Sequence, residues 1–469
     1  MRPGMTDPRE LDKQYVFHPF SMAHVHEQSG ALMMARSADG CWITDDSGKR
    51  HLDAMAGLWC VNVGYGRDRI ADALADQARQ LSYFHGFSSM ATEPAATLAE
   101  RVIAKAPEGF SKVFFGASGS DANDTQAKIV WYYNNARGKP EKKKIIARDR
   151  GYHGVTVMTA GLTGLPGLHA GFDLPLPMIR HVSAPHNVWT RLPEEDDAAF
   201  TARLAKELED LILSEGPDTV GAFIAEPVMG AGGVIVPPEG YFAAIREVLD
   251  RYDVLLIADE VICGFGRLGT WFGTEALDMQ PDLMSVAKGI TSGYAPLSGV
   301  LVGDKVWRVI SGEAPAKFGA FGHGYTYTAH PVMAAAALAN LDIVEEENLV
   351  ERAGEMGAYL NEALARAFAD LPIVAETRGK GLMAAVEFAR PTADGWQKFD
   401  SSLQVAPRIV RAALEDGVIS RALPNSDAVS FSPPFTITPE EIDLAVSTVR
   451  KAAGVVHDAL RAEDTPASQ

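Results

Sequence analysis

Short apolar runs alternate with stretches whose apolar residues recur three and four positions apart. Runs at 112–115, 144–147, 220–225 and 254–258 read as strands; a helix from Ala122, one carrying Leu204, Leu208 and Ile212, and one carrying Phe242, Ile245 and Leu249 fall among them. The run at 254–258 is too short to span a membrane and is flanked by acids, so it is expected to be a buried parallel strand. Repeated strand-then-helix order predicts an α/β fold, a mostly parallel sheet covered by helices on both faces. Upstream, 41–53 predicts a hairpin turning at Asp45-Asp46-Ser47-Gly48, and Ile70, Leu74 and Leu81 predict a helix from Arg69. Beyond His330-Pro331 the texture becomes mainly helical: 333–347, then a helix with Met356, Leu360, Leu364 and Phe368. A strand over 382–388 and a last helix follow. That helix opens on a capping box at Thr438-Pro439-Glu440-Glu441 and carries Ile442, Val446, Val449 and Val456. This change near 330 marks a domain boundary, and the tail RAEDTPASQ is expected to fray.

Composition narrows the functional classes. With 469 residues, 47% hydrophobic, the chain can bury a large core and predicts one large unit plus a smaller one. A formal net charge of −18 argues against nucleic acid or an acidic membrane as partner. Cys41, Cys60 and Cys263 are odd in number and scattered, giving neither a disulfide framework nor metal spacing; a reducing cytoplasm fits. The N-terminal MRPGMTDPRELDKQ lacks a signal-peptide core, and no run is as long as a transmembrane helix.

Candidate chemistry gathers at the carboxyl ends of the predicted strands. Asp259-Glu260 closes the 254–258 run, and a second apolar run ends at Lys288, so an acid and an amine should converge on the crevice where open α/β sheets bind ligands. The hydrophobic-then-acidic pattern also suits a nucleotide triphosphatase, but no G-x-x-x-x-G-K-[ST] loop exists in the sequence. GASGSDAN (116–123) passes from a strand into a helix; its backbone N–H groups, with Ser118 and Ser120, predict a seat for a monophosphate. Tyr152, in GYHG, can lie flat on a planar ligand. Glu226 ends another strand. The glycine- and aromatic-rich stretch 55–66 suits a cavity wall. His24 and His26 form an H-x-H pair on a segment expected to be extended, but a metal needs a third ligand, so no metal is expected. These parts fit pyridoxal 5'-phosphate: Asp259 keeps the pyridine nitrogen protonated, the nest holds the phosphate, and Lys288 forms a Schiff base.

At this point the sequence resembles the class III pyridoxal-phosphate aminotransferases, within them the omega-amino acid or amine:pyruvate transaminases. The resemblance runs through MAGLWCVNVGYG (55–66), SGSDAND (118–124), GYHG (151–154), AEPVMGAGG (225–233), IADEVICGFGR (257–267), AKG at Lys288, HGYTYTAHP (323–331) and RGKGLMAAVEF (378–388). It implies fold type I, with a mainly parallel seven-stranded sheet in a large cofactor-binding domain (60–330) and a smaller α+β domain from 1–59 and 331–469. It further implies Lys288 as Schiff-base and proton-transfer residue, Asp259 on the pyridine nitrogen, Tyr152 stacked on the ring with Val261 beneath, and Glu226 supporting the Asp259 side. Gly119 and Ser120 would bind phosphate, joined by Tyr325 and Thr326 of a second subunit, so a homodimer is implied and a tetramer left open. Arg421 would grip a substrate carboxylate and swing away for uncharged amines; Phe20, Trp59, Phe87, Tyr152 and Ala231 would line the substrate pocket. Asp121 stands where many relatives have Glu. The expected reaction passes an amino group from an amine or omega-amino acid to pyruvate in two half-reactions. Alternatives are a transaminase for GABA or a diamine, an aminomutase, or a non-catalytic small-molecule-binding protein that keeps the fold.

Overall fold

The computed structural model describes residues 7–464. Its central sheet has seven strands, labelled β1 to β7 in chain order: Phe110–Gly116, Lys144–Arg148, Ile179–Val182, Val220–Ala225, Leu255–Asp259, Leu283–Val286 and Ser298–Gly303. They lie side by side as β1-β7-β6-β5-β4-β2-β3. β7 is antiparallel to both neighbours and every other pair is parallel, so the sheet is mainly parallel as expected. β4 and β5 are buried along their whole length, which is why their sequences read as continuous apolar runs. Alternate residues serve opposite faces: Phe223 and Leu256 pack with Leu204, Leu208, Ile245 and Leu249, whereas Ile224 and Ile257 pack with Ile129, Val130 and Tyr133.

A second core joins the two ends of the chain. The expected hairpin forms, with Trp42 opposite Leu52 and Asp45 Oδ1 accepting the N–H groups of Ser47 and Lys49 in the turn. Its inner strand, Arg50–Asp53, then pairs in parallel with Val418–Ile419. A separate sheet holds Val374–Gly379, Ala384–Phe388, Ala428–Phe431 and Arg421–Ala422. The helices Leu349–Phe368 and Pro439–Asp464 turn Leu360, Leu364, Phe368, Ile442, Val446, Val449 and Val456 onto this core, as their stripes predicted.

Several local expectations needed correction. β3 and β7 were not read as strands, because IRHV has too few apolar residues and SGVLVG is bounded by small residues. The segment bearing His24 and His26 is helical, Ala23–Ser29, not extended; positions two apart on a helix diverge, and His24 is exposed while His26 is half-buried. Leu81 caps the Asp68–Gln80 helix from outside and stays exposed. Of the tail expected to fray, 461–464 continues the last helix and 465–469 lies outside the described residues. Among the described residues no helix is long and apolar enough to cross a membrane.

Candidate active site

A cavity of about 580 Å³ opens at the carboxyl ends of the parallel strands. Its lining includes Phe20, Trp59, Gly119, Ser120, Tyr152, Glu226, Ala231, Asp259, Val261, Lys288 and Arg421. Three neighbouring strands, β2, β4 and β5, lead into Tyr152, Glu226 and Asp259, and β6 leads into Lys288.

Asp259 is the most tightly held group. Its Oδ2 lies 2.8 Å from His153 Nδ1 and accepts from Asn123 Nδ2 at 2.8 Å, and its Oδ1 accepts from Val261 N at 3.1 Å. Burial alone would push this carboxyl up, but the hydrogen bonds and the nearby imidazole outweigh it and hold the group below the usual carboxylate range. Glu226 goes the other way. Burial raises it, although Oε1 accepts from Tyr152 N at 3.0 Å and Oε2 from Gly230 N at 2.8 Å. Lys288 sits in the left-handed region at φ +46°, strained for a side-chain-bearing residue. Burial lowers its ammonium from the ordinary lysine value, against the pull of Asp259, and its Nζ makes no hydrogen bond to a described residue.

The strand-to-helix turn differs in detail from its expected form. Asp121 Oδ2 accepts the N–H groups of Ala117 and Ser118, at 2.8 and 2.9 Å, so those two donors turn inward. Ser118 Oγ caps the Gly119–Ala136 helix by accepting from Asp121 N, and Ser118 lies outside the cavity lining. The donors left facing the cavity belong to Gly119 and Ser120 at the first turn of an 18-residue helix. Space around them is tight. A Cβ on Gly119 would meet Val261 at 3.0 Å, and one on Gly154, whose φ is +129°, would meet Ser120 Oγ at 2.5 Å.

At the outer end Arg421 lies 4.9 Å over the Trp59 ring. Its guanidinium makes no hydrogen bond or salt bridge to a described residue, and burial lowers it from the usual arginine value. Phe20 and Trp59 both adopt positive φ, +53° and +58°. Phe87, Tyr325 and Thr326 are not in this cavity. Tyr325 Oη donates to Asp121 O at 3.0 Å, on the helix that starts at Gly119, while Tyr83 Oη donates to Thr326 O at 2.8 Å, a Cβ on Gly324 would touch the Phe87 ring at 3.1 Å, and Phe84, Phe87, Met90 and Tyr327 are exposed around them.

Sequence reasoning missed His153 and Asn123. Both stood in quoted motifs, but nothing local says which carboxylate they will meet 106 and 136 positions away. Leu58, Leu165, Leu168, Ile262, Pro424 and Asn425 also line the cavity without any sequence signal.

The donor set fits pyridoxal phosphate: a lysine amine, a fixed carboxylate, an aromatic and a β-branched side chain in the same lining, and an anion seat at a helix start. Comparison with known proteins agrees. Residues 23–453 match the family model for class-III aminotransferases. The chain is 50% identical over 468 residues to a diaminobutyrate–2-oxoglutarate transaminase of Halomonas elongata, covering 98% of this chain and 99% of the relative. It is 44% identical to a mitochondrial gamma aminobutyrate transaminase of Solanum lycopersicum, covering 95% and 86%. Among solved structures, an omega transaminase from Pseudomonas jessenii in complex with PMP superposes with a TM-score of 0.93 at 44% identity, covering 97% of this chain and 99% of that one.

Proposed function

The chain belongs to the class-III aminotransferases, pyridoxal-phosphate enzymes of fold type I, and from that premise we propose that it transfers an amino group from an amine or omega-amino acid to pyruvate. The observation that carries this reading is Arg421, a half-buried guanidinium with no counter-ion among the described residues, in a wall that includes aromatic and aliphatic side chains. A buried cation without a partner is costly, and a substrate carboxylate pairing bidentately with it relieves that cost.

Pyridoxal phosphate, when bound, supplies the carbonyl that takes up the amino group and the ring that accepts electron density. This chain's residues do the rest. Gly119 and Ser120 would hold the phosphate with backbone N–H groups, Tyr152 and Val261 would pack against the ring, and Asp259 would pair with the ring nitrogen. Glu226 fixes the loop behind Tyr152 through Tyr152 N and Gly230 N. Lys288, with its basicity lowered by burial, would link to the cofactor and carry the proton to and from the substrate carbon. His153 and Asn123 act through Asp259 by keeping it charged and oriented.

The walls argue for the donor and acceptor classes. The acids in the lining, Glu226 and Asp259, are already committed to protein donors, leaving no carboxylate for the distal ammonium of a diamine or of diaminobutyrate. Arg421 offers one cation, which suits pyruvate better than 2-oxoglutarate with its two carboxylates. GABA stays compatible, since its carboxylate can reach Arg421. Ala231 leaves room beside Trp59 and Phe20 for an apolar side chain.

The same proposal includes a homodimer, in which Phe87, Tyr325 and Thr326 of a second copy complete the pocket; the exposure of Phe87 and Thr326, outside the lining of their own cavity, supports it. It divides the chain into a cofactor-binding unit, 60–330, and a smaller unit from 1–59 and 331–469, supported by the pairing of Arg50–Asp53 with Val418–Ile419. Three free thiols support a reducing, cytoplasmic setting. Incubating the holoenzyme with a panel of amines, omega-amino acids and diamines, with either pyruvate or 2-oxoglutarate, tests the reading. Alanine formation from amines lacking a second charge is expected; glutamate formation from a diamine or diaminobutyrate alone refutes it.

A further inference from the structure

The N-terminal helical hairpin holds a polar cluster that transamination does not use. Asp12 lies on the helix Pro8–Tyr15, His26 on the helix Ala23–Ser29, and His18 on the connection between them. Asp12 Oδ1 is 3.0 Å from His18 Nε2, and Asp12 Oδ2 is 3.5 Å from His26 Nε2. The two imidazole centroids are 4.4 Å apart. One ligating atom from each residue lies within 4.8 Å of the other two. All three side chains are shielded, Asp12 and His26 most, with 15% and 12% exposure. An Asp–His hydrogen bond explains the His18 contact. It does not explain His26 turned onto the same carboxylate while Asp12 Oδ2 and His26 Nε2 both lack hydrogen-bond partners out of water.

We propose that Asp12, His18 and His26 form a binding site for a divalent transition-metal ion of the zinc class, which fastens the N-terminal hairpin. Two neutral imidazole nitrogens and one carboxylate oxygen are the donor set that zinc takes, with water in the fourth position. Bonds of about 2.0–2.1 Å place tetrahedral donors roughly 3.3 Å apart, so the three groups need only small side-chain movement. The pair differs from the H-x-H expected of the sequence: folding the segment into a helix discards His24 and recruits His18 and Asp12. His18 and His26 line a small hollow that Lys13 also borders, but the Lys13 ammonium donates to Gln28 O at 3.1 Å. Glu27 also borders it, and the net charge of −18 concentrates cations near the surface. The ion would bear on the active site by position, because His18 immediately precedes Pro19 and Phe20, both in the cavity lining.

The test uses untagged holoenzyme, stripped with EDTA and titrated with zinc chloride by calorimetry. One equivalent per chain is expected, with affinity falling roughly 100-fold in Asp12→Asn and in both His26→Gln and His26→Ala. His24→Gln keeps the wild-type affinity. Zinc also protects the hairpin from limited proteolysis in the wild type and not in the His26 variants. Absence of zinc uptake by the wild type, affinity unchanged from the wild type in the Asp12 or His26 variants, or a loss in His24→Gln as large as theirs overturns the assignment.

Discussion

The inner and outer ends of the cavity both take charge out of water, yet they are built differently. Inside, Asp259 accepts from Asn123 and Val261 and meets His153, while Glu226 accepts two backbone N–H groups. Outside, Arg421 rests on Trp59 with no anionic partner among the described residues, and Phe20 and Trp59 in the same lining both have positive φ. The two inner carboxylates are partnered before any ligand arrives, so their geometry does not depend on the substrate. The outer end is left unsatisfied. A protein that had only stability to serve would pair that guanidinium, and leaving it alone gives each carboxylate-bearing substrate a place to bind.

The comparison breaks first at Lys288. Lys288→Ala is expected to lower turnover by at least about 10⁴-fold and to abolish the visible absorbance of the linked cofactor. Full activity in that variant removes the inner end from the chemistry. Asp259→Asn comes next, with a loss of about 10³-fold in kcat and little change in phosphate affinity. The same substitution has a pH signature. Asp259 is held below its unfolded value, so it stabilises the fold above roughly pH 4 and that contribution disappears as pH falls through the folded-state value. Wild-type unfolding midpoints should therefore drop in acid more steeply than those of Asp259→Asn.

At the outer end the expected effects are smaller and depend on substrate. Arg421→Ala should cost about 100-fold in kcat/KM for pyruvate, about 2.7 kcal/mol, and less than about threefold for an amine without a carboxylate. Equal losses on both substrates would mean that Arg421 is structural. Ala231→Leu should sharpen the contrast most gently: KM for an arylalkylamine rises about 10-fold, while a small omega-amino acid such as β-alanine is spared. Steady-state kinetics across the donor panel measures both.

How much of this was legible follows from what each residue's role depends on. Val220–Ala225 and Leu255–Asp259 announced themselves, because strands buried on both faces read as apolar runs, and an acid follows the first directly and closes the second. Lys288 and the helix-start donors were legible for a similar reason, since a glycine-bounded lysine after an apolar run and a GASGSD turn carry their chemistry locally. Asp121 was only half legible: its place in the turn was seen, but not that it withdraws the Ala117 and Ser118 donors.

The sequence by itself determined the α/β order, the strands that end in Glu226 and Asp259, the lysine, the anion seat and, through its motifs, the family. Those are properties of stretches a few residues long. Tertiary structure alone decided that β7 runs antiparallel, that His153 and Asn123 meet on Asp259, that Arg421 meets no anion among the described residues, and that His26 turns toward Asp12 while His24 stays exposed. Each of these depends on groups brought together across turns or across the sheet, and hydrophobic periodicity records which face of an element is buried without recording what it is buried against.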